Sequence, residues 1–319
     1  MFLILLIFNF YFLPTNEEII EQKEEIKIEN NISEPKSINT DKIELTSDEK
    51  EKKYGVFSNS AESEFNEYVI ENDKIKVVVS NKGGRINSVT IKEGPNKKQY
   101  KTYDGNELEI FNSDSSLFNL NFSTGISINT KDLFFNPTQI SKDEIIMRLE
   151  VDSSHFIDFN YKLKEDYLVD FDINLIGMNE VIPNELNFMN LQWQMKTPQT
   201  EKSRENQDMY TGIYYQYFAD KDDIDYLGYT NSDDIEKISN KLSWIAFQQQ
   251  FFSSILVAEN GIKNTNLTSI KEENSDYVKN LSAEFEIDYD HNDYENIGFQ
   301  FYFGPNHYKQ LQSYNKNFE

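Results

Sequence analysis

No cysteine occurs in the 319 residues, which excludes structural disulfides, thiolate nucleophiles and cysteine-ligated zinc. The missing thiols leave the compartment open, because proteins of oxidising and reducing compartments alike can lack them. Histidine is scarce as well. The three present, His155, His291 and His307, form no H-x-H, H-E-x-x-H or H-x-x-x-H pattern that would hold a metal. Each reads as an ordinary surface or strand-end residue. No G-x-S-x-G elbow is present, and Gly83-Gly84 lacks both the lysine spacing of a phosphate loop and a following helix. Asp288 to Asp293 begins like a calcium loop, but Asp293 replaces the glycine and Phe299 stands where the bidentate glutamate belongs. The Asp220–Asp225 and Asp233-Asp234 clusters read as solvated loop. Neither a metal nor a cofactor is expected, and carboxylates are too many for any two to be singled out as acid and base. The chain does not read as an enzyme.

Positive charge is in deficit, with 31 Lys and Arg against 55 Asp and Glu and a formal charge of −24. A molecule so acidic is repelled as a whole by nucleic acid and by anionic headgroups. Nucleic acid is therefore not an expected partner. Long hydrophobic runs are missing too, apart from Met1–Leu13, which is apolar except for Asn9 and is ended by Pro14. Thirteen residues fall short of the roughly 20 needed to cross a hydrocarbon core of about 30 Å. The stretch also lacks the basic start and small-residue cleavage site of a signal peptide. Residues 1–14 read as the remnant of an N-terminal transmembrane helix that begins upstream, with a buried strand as the alternative. Residues 15–63, rich in Glu, Lys, Asn and Ser, read as a flexible charged linker.

From residue 64 onward the apolar period becomes two. Phe118, Leu120 and Phe122 alternate with asparagines, and Met147, Leu149 and Val151 alternate with charges. The same alternation runs through Ile157–Leu163, Val169–Leu175, Phe285–Tyr289 and Ile297–Phe303. Many antiparallel strands with one wet face predict an all-β sandwich over residues 64–319, in keeping with 38% hydrophobic and 14% aromatic residues. Asn81-Lys82-Gly83-Gly84, between Ile75–Val79 and Arg85–Ile91, predicts a hairpin closed by glycines of positive φ. Tyr308, Leu311, Tyr314 and Phe318 share one stripe of a short C-terminal helix, and Pro305 suits its first turn.

The densest aromatic stretch lies at residues 241–256. Trp244, Phe247, Gln250, Phe251 and Phe252 are candidates for lining a groove that takes an extended peptide or partner protein. The competing reading is that such rings pack into the core.

Three motifs in order, Val77–Ile86 with its glycine hairpin, Trp244–Phe252, and Gly304-Pro305 leading into the tail, resemble the large periplasmic domain of the YidC insertase family, over residues 65 to 318. The resemblance implies a twisted antiparallel supersandwich like that of galactose mutarotase, held at the outer side of the bacterial inner membrane by an N-terminal helix. It also implies a part in inserting and folding inner-membrane proteins, alone or beside the Sec translocon, with nascent membrane proteins and translocon or accessory subunits as partners. In that family a bundle of five membrane helices after this domain carries the insertion groove. No stretch after Leu13 approaches the length of such a helix, so the chain is expected to be a fragment that docks or contacts substrate. The runner-up reading is a carbohydrate-binding or mutarotase-like enzyme, which requires a histidine and a carboxylate to converge in a cleft.

Overall fold

Alternation of apolar and polar side chains along the chain becomes strand after strand in the computed structural model, which describes residues 45–314 except 95, 221–223, 230–232 and 274. Among the described residues no helix is long and apolar enough to cross a membrane. The expected membrane remnant, residues 1–14, and the linker through residue 44 lie outside them.

The part of the expected linker that is described is folded, which corrects its boundary. Thr46 and Glu49 form a capping box, with the Thr46 N–H donating to Glu49 Oε2 at 2.8 Å. Helix α1 (Ser47–Tyr54) follows, then a 3-10 turn over Gly55–Ser60. Phe57 is fully buried and meets Phe122 edge-on at 5.9 Å. The compact unit accordingly starts at Thr46.

A small antiparallel sheet comes next, in the order β1 (Glu67–Glu71), β2 (Ile75–Ser80), β3 (Ile86–Ile91) and β4 (Leu108–Phe111). The β2–β3 turn holds Gly83 and Gly84 at φ 79° and 62°. A Cβ on Gly84 would lie 2.7 Å from the Phe135 ring, so both conformation and space call for glycine there.

The remaining strands form one continuous antiparallel ladder. They are β5 (Ser116–Ser123), β6 (Ser127–Asn129), β7 (Asn136–Ile140), β8 (Glu144–Glu150), β9 (Phe156–Leu163), β10 (Leu168–Ile176) and β11 (Phe188–Pro198). After helix α2 (Arg204–Met209) come β12 (Gly212–Tyr217), β13 (Ile224–Leu227), β14 (Asp234–Ile238) and β15 (Leu242–Gln248). The last are β16 (Phe252–Lys271), β17 (Tyr277–Asp288) and β18 (Tyr294–Pro305), followed by helix α3 (Tyr308–Ser313).

One strand turns this ladder into a sandwich. The first half of β16 pairs with β15 and β18, and its second half pairs with β17 and β14. Between the halves the chain passes through left-handed Gly261, φ 69°, and Asn264, φ 48°. A Cβ on Gly261 would approach Lys241 Cε to 2.6 Å. One layer thus runs β6-β5-β11-β17-β16-β14, and the other runs β16-β18-β10-β9-β8-β7 with β15, β12 and β13 on its far side.

The layers meet through aromatic rings. Phe118 of β5 packs edge-on to Phe171 of β10 at 5.3 Å and to Phe301 of β18 at 6.2 Å. Trp193 of β11 stacks on Phe247 of β15 at 3.9 Å. The small sheet joins through the Tyr161 hydroxyl, which donates to the Gly84 carbonyl at 2.9 Å, and through Phe111 against Phe303.

Helix α3 starts later than its proline suggested. Pro305 is the last residue of β18, paired in register with Phe252. Within α3, Leu311 is buried and the Gln310 amide donates to Asp166 at 3.0 Å. Tyr314, just beyond it, meets Tyr302 edge-on at 5.6 Å. Phe318 lies outside the described residues.

Candidate functional site

The five aromatic and glutamine candidates fall on β15, on the turn after it, and on the start of β16. Both faces of β15 are covered: Trp244 and Ala246 point one way, Ile245 and Phe247 the other, and all four are buried. Phe252 is buried too, with Tyr100 edge-on to it at 5.1 Å. Trp244, Phe247 and Phe252 are therefore core, which corrects the expectation of a groove lined by all five. Burying one such ring is worth about 1.5–3 kcal/mol, and a partner does not reach it while the sandwich is folded.

Phe251 remains at the surface, while Gln250 is half-buried with its Oε1 shielded from solvent. Phe251 is 51% exposed at the tip of a tight turn, where the Gln249 N–H donates to the Phe252 carbonyl at 2.7 Å. Two residues not singled out in the sequence hold this tip. Asn306 donates its backbone N–H to the Phe251 carbonyl at 2.8 Å and its amide to the Gln249 carbonyl at 2.9 Å, while accepting from the Ser253 hydroxyl at 2.7 Å. Gln249, which is buried, donates to the Ile110 carbonyl of β4 at 2.9 Å. The run of three glutamines carried the signal, since one amide in such a run is placed to satisfy backbone groups inside. The result is one exposed phenylalanine on a clamped turn.

A cleft of about 530 Å³ opens at the other end of the strands, beside the last residues of β17 and the first of β18. Lys241, Asn260, Asp288, Asp290, Glu295 and Phe218 line it, and no histidine does. Burial pushes the Glu295 carboxyl upward, and the Asp290 N–H donates to it at 2.9 Å. His291 gives its Nε2 hydrogen to the Leu186 carbonyl at 2.6 Å, and His307 lies exposed after β18. The pairing of histidine with carboxylate that sugar anomerisation requires is not brought into this cleft.

His155 does meet carboxylates, at the β8–β9 turn. Its Nδ1 lies 2.8 Å from Asp152 and its Nε2 3.3 Å from Glu180. The Asp152 hydrogen bond, helped by Glu180, raises the imidazole above its ordinary range, and the same bond lowers Asp152. A histidine with a raised folded pKa stabilises fully below the ordinary value of about 6.5, and the contribution fades as pH rises through the raised value. On the acid side, the Asp152 contribution is present above about 3.9 and fades as pH falls through its lowered value. An NMR titration of His155 is expected to give a midpoint above that of free imidazole, shifted down by Asp152→Asn. A midpoint at or below the free value contradicts the clip.

Residues 67–319 match the family described as the YidC periplasmic domain. The chain is 33% identical to the membrane protein insertase YidC of Azobacteroides pseudotrichonymphae over 317 residues, covering 97% of this chain and 49% of that protein. It is 35% identical to the protein of the same name from Phocaeicola vulgatus over 251 residues, covering 77% of this chain and 39% of that protein. The chain thus spans about half or less of the length of these curated relatives. Among solved structures, a galactose mutarotase-like protein from Lactobacillus casei is similar with a TM-score of 0.49 at 9% identity, over 75% of this chain and 100% of that one. The matched span takes in the glycine hairpin, the clamped Gln249–Phe252 turn and the strand ending at Pro305, and by it the chain belongs to the YidC periplasmic-domain family.

Proposed function

We propose that this domain is the periplasmic part of a YidC-type membrane protein insertase, anchored at the bacterial inner membrane, and that it serves as a docking and substrate-contact module. The family match over residues 67–319 carries this reading. Relatives named as membrane protein insertases, similar to almost the whole chain, support it. In this reading nascent inner-membrane proteins, and the Sec translocon with its accessory subunits, are the partners, and Gln250 and Phe251 are the contact point. An exposed aromatic on a rigid turn suits that task, because it buries apolar area on binding with little side-chain entropy to lose. The chemistry required is recognition without bond-making, so the domain works without a cofactor.

The test is recovery of partners from detergent-solubilised membranes after chemical crosslinking, with the tagged protein as bait. Translocon subunits or newly made membrane proteins are expected in the eluate. Repeated recovery of neither contradicts a docking role.

A further inference from the structure

We propose that the exposed tip at residues 96–103, in the connection between β3 and β4 that turns at 94–98 and again at 102–106, docks this domain on an anionic phospholipid surface, with Lys97, Lys98 and Lys101 against headgroup phosphates and Tyr103 at the interface. The net charge of −24 argues against such binding only if charge is evenly spread, and it is not. Three lysines fall within five residues, and no acid occurs from Gly94 through Tyr103. Among the described residues none of these three ammonium groups has an ion pair or hydrogen bond. The neighbouring acids are largely committed elsewhere. Glu71 takes Lys92 at 3.2 Å, Glu93 lies 3.7 Å from Lys74, and Asp104 accepts from the Asn106 amide at 2.7 Å. Glu107, opposite Lys101 in register, remains, with Glu109 two residues further on in β4 and Glu201 next to the Thr200 that Tyr103 contacts.

The tip is already built for contact. Tyr100 packs over Gly94, where a Cβ would fall 2.9 Å from its ring, and edge-on to Phe252 at 5.1 Å. The Tyr103 N–H donates to the Thr200 carbonyl at 3.0 Å, while its ring is 56% exposed. Tyrosine beside lysine suits a membrane surface, the ring sitting at headgroup level and the ammonium on phosphate. Carboxylates more than about 8–10 Å from the tip are screened at physiological salt, so the local cations decide the encounter. A long nucleic acid would run along the acidic body as well, whereas a flat bilayer touches only the tip.

Because the chain has no cysteine, an environment-sensitive dye on Gln99→Cys reports this tip alone, and one on exposed Glu185→Cys serves as control. With vesicles of equal parts phosphatidylglycerol and phosphatidylcholine at low salt, the Gln99 label is expected to shift to the blue and the control label to stay unchanged. The shift is expected to vanish with phosphatidylcholine alone or at high salt. In the variant K97E/K98E/K101E, with unchanged circular dichroism, partition is expected to fall by about 100-fold or more, at roughly five- to tenfold for each lysine removed. No shift, an equal shift with neutral vesicles, an equal shift of the control label, or an unchanged triple variant each overturns the proposal. Lipid binding is read here without any insertase partner, so its failure leaves the proposed docking role standing.

Discussion

Replacing Phe171 with alanine is expected to lower the stability of the domain by about 3–5 kcal/mol, the range for removing a large buried ring whose cavity is not refilled. Phe171 is fully buried on β10 and touches five other rings. Tyr161 stacks on it at 4.6 Å, Phe118 and Phe159 meet it edge-on at 5.3 and 5.5 Å, and Phe301 and Phe299 lie 5.7 and 5.9 Å away. Phe118 belongs to the opposite layer, so the ring at position 171 fills the space between the layers. Rigid aromatic neighbours on covered strands cannot collapse into the hole. Phe171→Leu, which keeps most of the volume, is expected to cost well under half as much. Urea denaturation of the two variants checks this, and a loss below about 1 kcal/mol for the alanine variant would show that the layers are not joined through this ring.

Lys279→Met is expected to have a comparable effect by a different route. Lys279 sits on β17, only 2% exposed. Its ammonium donates to the carbonyls of Asp208 at 3.0 Å and Thr211 at 2.8 Å, and to that of Gly228. It also faces Asp208 Oδ1 at 3.2 Å, as an ion pair without hydrogen-bond geometry. Burial lowers its pKa, and Asp208 works against that lowering. A thioether of similar length leaves those buried carbonyls without a donor. Removing one member of such a buried set costs about 3–5 kcal/mol. Asp208 keeps Lys271 at 2.9 Å, so the loss is expected to concentrate on the segment that Lys279 pins, α2 through β13. Hydrogen exchange should quicken there first, while β9 and β10 stay protected. Uniform loss of protection would mean that the lysine supports the whole sandwich rather than this segment.

The burial of Lys279 was legible in part. It stands in phase with Leu281, Ala283, Phe285 and Ile287, all of which face inward, and a lysine on the inward phase of a strand signals a buried polar site. Strand periodicity served well where one face is wet: on β10, Val169, Phe171, Ile173 and Leu175 are buried and their neighbours are not. It failed where both faces are covered. On β15 the alternation disappears, and an unbroken aromatic run looks the same whether it lines a groove or fills a core.

Long-range features left weaker traces. The 20-residue strand β16 is interrupted in sequence by Glu259-Asn260-Gly261, which reads as a turn, yet the structure uses these residues as the corner between layers. Phe57 follows buried Tyr54 by three residues in an otherwise polar stretch, and the Thr46–Glu49 capping pattern marks the start of a folded segment before β1. At the candidate site the sequence showed where the aromatics cluster. Which one points outward depends on Asn306, more than fifty residues away, closing the turn beneath it.

The contact assigned to the Gln250–Phe251 turn is tested most directly by site-specific photocrosslinking in the native membrane. A photoreactive phenylalanine analogue placed at position 251 is expected to give discrete adducts with nascent membrane proteins or translocon subunits, and the same analogue at buried position 247 is expected to give none. No adduct from position 251, or the same adducts from both positions, would contradict a docking role for this turn.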